Sequence, residues 1–319
     1  MTEQRADETN KAAAPMKFKP ASMILQADAV EALQELKQRG ERFDLVIADP
    51  PYNIGKDFGN NCADMPIERY IEWARGWIDD SLQLLADNGL LYLYGFPEIV
   101  ARIASLYPIE RQRWLVWHYT NKAAPTSKFW QRSHETILCL WKPGRPRPRL
   151  EIDQIREPYT PAFMKNAGRE RKDTPSRYGK TGRRTVYNAH ENGALPRDVL
   201  KTPALAGGAG RSQRWFLCRD CGGKLFPPAE LKAHREHDIL KHPTQKPMEL
   251  AKRLILSRIG ADGGRLLVPF AGTGSECAAA EEIGVEFVGI ELNPEYASFA
   301  RQWVQHVRLN GAAVGAGVM

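Results

Sequence analysis

The chain has 319 residues, 43% of them hydrophobic and 26% charged, with a formal net charge of +7. That apolar share suffices for the core of one large α/β domain carrying a smaller insertion, and it excludes a disordered chain. No apolar run approaches the roughly 18 residues of a membrane span, no signal-like leader opens the sequence, and the irregularly spaced cysteines read as reduced thiols of a cytoplasmic protein.

Residues 1–20 are polar, alanine-rich and without clear period, and are expected to be mobile. Ser22-Met23-Ile24-Leu25 reads as a strand ending at Gln26-Ala27-Asp28. An amphipathic helix over 29–39 follows, with Val30, Leu33 and Leu36 on one face, and Asp28 is placed to cap it. The next strand, Phe43-Asp44-Leu45-Val46-Ile47-Ala48, is stopped by Asp49-Pro50-Pro51-Tyr52. That stop presents a carboxylate, carbonyls that no proline N–H can partner, and an aromatic face. The set suits a flat ring bearing an amine: the acid and a carbonyl accept from the NH2, and the tyrosine stacks. A proline-rich strand-to-loop turn is the plainer reading of the same four residues.

Leu90-Leu91-Tyr92-Leu93-Tyr94, Trp114-Leu115-Val116-Trp117 and Thr136-Ile137-Leu138-Cys139-Leu140 read as further strands. Asn88-Gly89 is expected as the turn before the first, and Asn121 and Lys122 as pocket-lining candidates. Between Lys142 and Lys246 the chain holds 23 Lys/Arg against 11 Asp/Glu, a balance of +12, which leaves −5 for the remainder of the +7 total. The excess sits in turn-forming stretches such as Gly144-Arg145-Pro146-Arg147 and Gly182-Arg183-Arg184. Clustered cations neutralise phosphates and release counterions, and Arg, Asn and Gln read base edges. A solvated face accounts for some of these arginines.

Within the same region Cys218, Cys221, His234 and His237 give C-x2-C-x12-H-x2-H. The histidine gap is shorter than the usual three to five. No metal is assigned on the spacing alone.

His242-Pro243-Thr244-Gln245-Lys246-Pro247 precedes a helix with Leu250, Leu254, Ile255 and Ile259 on one face, ended by Gly260. Arg265-Leu266-Leu267-Val268 is another buried strand, followed by Pro269-Phe270-Ala271-Gly272-Thr273-Gly274-Ser275 and a helix ending at Gly284. Gly272 and Gly274 allow close backbone approach to a ligand, and Ser275 is expected as the N-cap. The strand Glu286-Phe287-Val288-Gly289-Ile290 closes on Glu291, where an acid holds a ribose hydroxyl pair. Asn293-Pro294 looks like a helix cap with proline at N1, which makes Glu291 equally a solvated acid at a helix start. A dinucleotide enzyme uses a similar unit, but F-x-G-x-G has no third glycine at the helix-packing position.

Together D-P-P-Y, H-P-T-x-K-P and P-F-x-G-x-G resemble the β group of DNA amino-methyltransferases, over nearly all of residues 22–309. The resemblance implies a circularly permuted, doubly wound, mostly parallel α/β sheet of the Rossmann-like methyltransferase kind, with a basic target-recognition insert. It divides the chain into a catalytic half (21–144), the recognition region (145–240), a cofactor half (241–310) and a flexible tail (311–319). It implies S-adenosyl-L-methionine as cofactor, held by Asp28, Asp49, Lys246, Pro269, Phe270, Gly272, Gly274, Ser275, Glu291 and Asn293. Lys246 would meet the methionine carboxylate.

Asp49, Pro50 and Tyr52 would be catalytic, acting on a base flipped out of double-stranded DNA. Asp rather than Ser at the head of the motif implies adenine N6, with cytosine N4 as the alternative. The implied setting is the modification half of a type II restriction–modification system, with a separate endonuclease and no membrane partner. Val268 departs from the family, which often carries an acid there; its absence either weakens the grip on the methionine amino group or leaves that contact to another residue. From another class, a zinc-finger-like DNA-binding protein with an inert methylase-like body remains the alternative.

Overall fold

The computed structural model describes residues 22–53, 65–121, 126–172, 184–205, 208–260 and 263–315; the amino-terminal segment, Lys122, Gly182-Arg183 and the last four residues lie outside them. In chain order the elements are β1 (Met23–Gln26), α1 (Ala29–Gln38), β2 (Phe43–Ala48), α2 (Ile67–Leu84), β3 (Leu85–Gly95), α3 (Pro97–Ala104), β4 (Gln112–His118) and β5 (His134–Trp141). The middle region adds α4 (Pro161–Met164), β6 (Glu170–Lys172), β7 (Arg184–Val186), β8 (Val199–Lys201), β9 (Phe216–Cys218), β10 (Lys224–Phe226) and β11 (Ile239–Leu240). The chain closes with α5 (Met248–Leu256), β12 (Arg265–Val268), α6 (Ser275–Glu282), β13 (Glu286–Glu291) and α7 (Pro294–Gly315).

One eight-stranded sheet runs β1-β13-β12-β2-β3-β5-β4-β8. It is parallel from β1 to β3, antiparallel across β3–β5–β4, and parallel again between β4 and β8. The expected mostly parallel, doubly wound α/β sheet is therefore what forms. β2 reads as a nearly unbroken apolar run because both its faces are covered. Leu45 and Ile47 pack with α5, α6 and α7 on one side, while Phe43, Val46 and Ala48 pack with α1, α2 and α3 on the other.

Two differences bear on organisation. Asn88-Gly89 lies inside β3, where the register with β2 slips between Phe43–Leu85 and Leu45–Leu90. The turn residues there make an irregularity rather than a strand boundary. β8, from the expected recognition region, joins the main sheet by pairing Val199 with Val116 and Lys201 with His118. The insert is thus built onto the catalytic sheet as well as beside it. α7 also continues past Gly311 to Gly315, through what reads as tail.

β12 lies beside β2, with Leu266 opposite Leu45 and Leu267 opposite Val46. After β12 the chain crosses on the α6 side, and after β2 on the α2 side. The two strands thus end together where the connections part, and a crevice opens at such a switch point.

Candidate active site

That crevice is lined by the ends of β1, β2, β12 and β13 and by the segment after β11, bringing together Asp28, Asp49, Pro50, Tyr52, Lys246, Pro269, Phe270, Gly272, Ser275 and Glu291. Residues more than two hundred positions apart in sequence meet here because β2 and β12 are neighbours. Of the expected site residues, Gly274 and Asn293 are not in the lining. Gly274, at φ 87°, caps α6, and a Cβ there would come within 2.7 Å of Ala300 Cβ. Its missing side chain serves the approach of α7, a helix-packing role that the spacing of the glycines does not announce. Ser275 accordingly is the first residue of α6 and not its cap. Asn293 Oδ1 accepts from Glu295 N and Tyr296 N, at 2.9 and 3.3 Å, and caps α7.

The loop after β2 is held from both sides. Tyr70 of α2 donates to the Pro51 carbonyl at 2.8 Å. Asn53, at φ 52°, exchanges two 2.7 Å hydrogen bonds with the Met65 backbone. Asn tolerates that left-handed geometry better than most residues.

Tyr52 is 4% exposed, and its hydroxyl sits 2.5 Å from Asp49 Oδ1 and 2.9 Å from Glu135 Oε2. The second Glu135 oxygen accepts from Tyr119 OH at 2.6 Å. Lys246, 2% exposed, completes the group: Nζ is 2.8 Å from Asp49 Oδ2, 3.6 Å from Glu135 Oε2, and donates to Tyr52 OH at 2.8 Å. The rings of Tyr52, Tyr94 and Trp117 surround the same ammonium at 5.0, 5.1 and 5.8 Å. Lys246 is therefore held by the carboxylate at the end of β2, in the wall of the crevice.

Electrostatics follow from that geometry. Burial works against the charge of Lys246, yet Asp49 and Glu135 hold its pKa above the ordinary lysine value. Burial raises the pKa of Asp49 by stripping its charge of water, Lys246 opposes the shift, and the neighbouring Glu135 carboxylate adds to it. Burial first, then Asp49 and Glu135, push the Tyr52 phenol well above its usual value, so it remains a donor.

The cradle after β12 has its own partners. Glu291 accepts from Gly272 N at 2.7 Å and from Asn293 N at 2.8 Å; burial raises its pKa and these backbone donors oppose the rise. Asp28 lines the cleft while accepting from Val30 N and Glu31 N at the start of α1, so it caps that helix from the cleft wall. Phe270 reaches the cleft with its ring against Trp73 and Trp77. Gly272, at φ 52°, leaves room that a Cβ would narrow to 3.1 Å from His242 Nε2.

Three side chains were missed in the sequence. Tyr119 and Glu135 lie at the facing ends of β4 and β5, and a buried acid opening an apolar strand was their only local signal. Glu276 lines the cleft from the first turn of α6, 3% exposed, with Oε1 lacking any partner among the described residues. Burial and then Asp49 lift it to about 7. Its signal was an acid on a helix whose residues Ser275–Ala280 are all buried.

Residues 43–302 match a DNA methylase family, N6_N4_Mtase. The chain is 28% identical over 284 residues to the DNA adenine methyltransferase YhdJ of Escherichia coli K12, covering 86% of this chain and 80% of that protein. It is 25% identical over 286 residues to the type II methyltransferase M.HpaI of Haemophilus parainfluenzae, covering 88% and 73%. Among solved structures, the cytosine-N4-specific PvuII DNA methyltransferase shares the fold at a TM-score of 0.54 and 12% identity, over 92% of this chain and 96% of that one.

Proposed function

The chain belongs to the N6/N4 DNA methylase family, and from that premise we propose that it transfers the methyl group of S-adenosylmethionine to adenine N6 in duplex DNA. The observation that carries the reading is the meeting of Asp49 with the Gly272 cradle in one crevice, at the switch point between β2 and β12.

The donor fits that crevice by charge and by shape. Asp28, Asp49, Glu276 and Glu291 line it against one lysine, Lys246, and His242 is kept neutral, its pKa lowered to about 3 by burial and then by Lys246 and Arg214. An acidic, partly apolar cleft suits a ligand carrying a sulfonium and an ammonium. S-adenosylmethionine, when bound, supplies an electrophilic methyl carbon with a neutral thioether as leaving group. Glu291 would hold the ribose, Gly272 would let the backbone approach, and Phe270 and Asp28 would meet the adenine. Glu276 would take the methionine ammonium, the contact that Val268 does not provide.

The rest of the reaction belongs to this chain's own residues. Asp49 and the Pro50 carbonyl accept from the target amine, hold its lone pair toward the methyl group and, at Asp49, receive a proton as the N–C bond forms. This is positioning together with electrostatic stabilisation of charge developing on nitrogen. Tyr52 offers its ring to the flipped base while Glu135 and Lys246 fix its hydroxyl, and Lys246 keeps Asp49 ionised.

Adenine is favoured over cytosine by Asp49 at the head of the motif and by the name of the Escherichia coli relative. The chain also resembles the RsrI modification methylase, which makes GAATTC the first duplex to test. A modification enzyme of this kind works in the cytoplasm beside a separate endonuclease. Cys139, Cys218, Cys221 and Cys277 form no disulfide among the described residues, which suits that reducing compartment.

The test incubates the protein with methyl-labelled S-adenosylmethionine and duplex DNA, digests the product and chromatographs the nucleosides, with Asp49→Ala as control. Label in N6-methyladenine, absent with the variant, is the expected outcome. Label in N4-methylcytosine would overturn the choice of base, and label surviving in the variant would overturn the role of Asp49.

A further inference from the structure

The recognition region ends in a three-stranded antiparallel sheet, β10-β9-β11, lying against α7. Its own core is small: Phe216, Cys218 and Phe226 are buried, with Leu231 and Ile239 packed on them. Leu217 and Leu240 on its other face pack on Phe299 and Trp303 of α7, so the small cluster facing away from α7 is the part that a staple would secure. We propose that Cys218, Cys221, His234 and His237 bind a structural zinc ion that locks this unit.

The four ligand atoms lie within 4.8 Å of one another. Cys218 Sγ and Cys221 Sγ are each 3.3 Å from His237 Nδ1, Cys221 Sγ is 3.7 Å from His234 Nδ1, and the two histidine Nδ1 atoms are 3.3 Å apart. A tetrahedral ion with Zn–S near 2.3 Å and Zn–N near 2.0–2.1 Å sets its ligands roughly 3.3–3.8 Å from one another. Hydrogen bonding would pair these groups two by two; instead all four converge on one point.

The backbone shows why they do. Cys218 ends β9, and the turn behind it closes through Gly223 N to Cys218 O at 2.9 Å, with Gly222 at φ 68° and Gly223 at φ 82°. Those glycines bend the chain sharply enough to bring Cys221 back beside Cys218. On the other side His237 N bonds His234 O at 3.1 Å. In so tight a turn, side chains three apart face the same way. The short histidine gap, which counts against zinc in the bare sequence, is what this turn requires. Phe226 stacks on the His234 ring at 4.0 Å and orients it. With four protein ligands the site is closed and offers no position to a reacting water, so the role is structural.

The consequence reaches the crevice. β11 ends two residues before His242, and Trp215 N, one residue before β9, bonds Gln245 Oε1 at 3.0 Å. A locked zinc unit therefore fixes the entry of the segment that delivers Lys246 to Asp49.

The full-length protein, purified from zinc-supplemented cells without chelator, is expected to hold one zinc per chain by plasma mass spectrometry. Cobalt substitution is expected to give thiolate charge-transfer bands and intense tetrahedral d–d bands. The double variant Cys221→Ser/His237→Asn is expected to lose the bound metal. Protein without stoichiometric zinc, whose reduced thiols give no such cobalt spectrum, overturns the proposal, and so does a double variant that keeps one zinc. The cobalt spectrum of the unaltered protein decides the matter even if the variant does not fold. None of these readouts depends on methyl transfer.

Discussion

Replacing Glu276 by Gln tests whether the crevice stores unfavourable negative charge. Glu276 is buried on the first turn of α6, one oxygen has no partner among the described residues, and its pKa lies at about 7 against an ordinary 4.5. At about 1.4 kcal/mol per unit, the shift corresponds to roughly 3 kcal/mol. The sign follows from which state holds the proton. Below pH 4.5 the carboxyl is protonated in both states and costs nothing. Between pH 4.5 and 7 the unfolded chain loses the proton while the folded chain keeps it, so stability falls as pH rises. Above about 7 both are ionised and the loss levels off. Gln cannot ionise, so Glu276→Gln should gain about 2–3 kcal/mol over the parent between pH 5 and pH 8. Urea unfolding of both proteins at the two pH values measures this. A difference between them that does not change with pH would refute the reasoning, because it would mean that Glu276 is solvated or paired. The same variant should bind S-adenosylmethionine more weakly at pH 8, read by calorimetry.

Gly274→Ala should lower stability by about 2–3 kcal/mol, from the left-handed backbone and the contact with α7 together; unfolding at one pH suffices, and an unchanged midpoint would contradict the packing role. Phe129 and Trp130, 81% and 87% exposed, stand on the loop between Tyr119 and Glu135. Exposed aromatic rings stack on unpaired bases, so Trp130→Ala should leave stability unchanged and weaken duplex binding by about tenfold, as the loss of one stacking contact implies. Fluorescence of 2-aminopurine at the target position checks this, and an unaltered signal would sink it. Lys246→Met should raise the pH at which the methyl-transfer rate reaches its plateau, because Asp49 then loses the cation that opposes its burial; an unshifted pH–rate profile would separate Lys246 from Asp49.

How far the sequence reaches depends on whether chemistry is local or long-range. β2 and β12 are observed at the residues their apolar runs mark, because a short branched run closed by proline is a strand whatever its neighbours do. D-P-P-Y and the Gly272 cradle were legible for the same reason: each is a few consecutive residues whose geometry is set by their own backbone. Lys246 was legible as a site residue but not in its partner. Its ammonium goes to whichever buried carboxylate the fold brings near, and that is Asp49. Glu135 lies 83 residues from Tyr52 and reaches it only through the β3–β5–β4 pairing, which nothing in the local pattern announces.

Gly274 stands outside the crevice lining, because a positive φ permits close approach without saying to what, and here the neighbour is Ala300. The zinc ligands show the same limit in reverse. Spacing rules for histidine pairs assume an ordinary helical turn, and the tighter turn between His234 and His237 satisfies the ion with fewer residues. A metal site is defined by convergence of ligand atoms, and ligand spacing in sequence only approximates that convergence. The distances among Cys218, Cys221, His234 and His237 therefore outweigh the short gap.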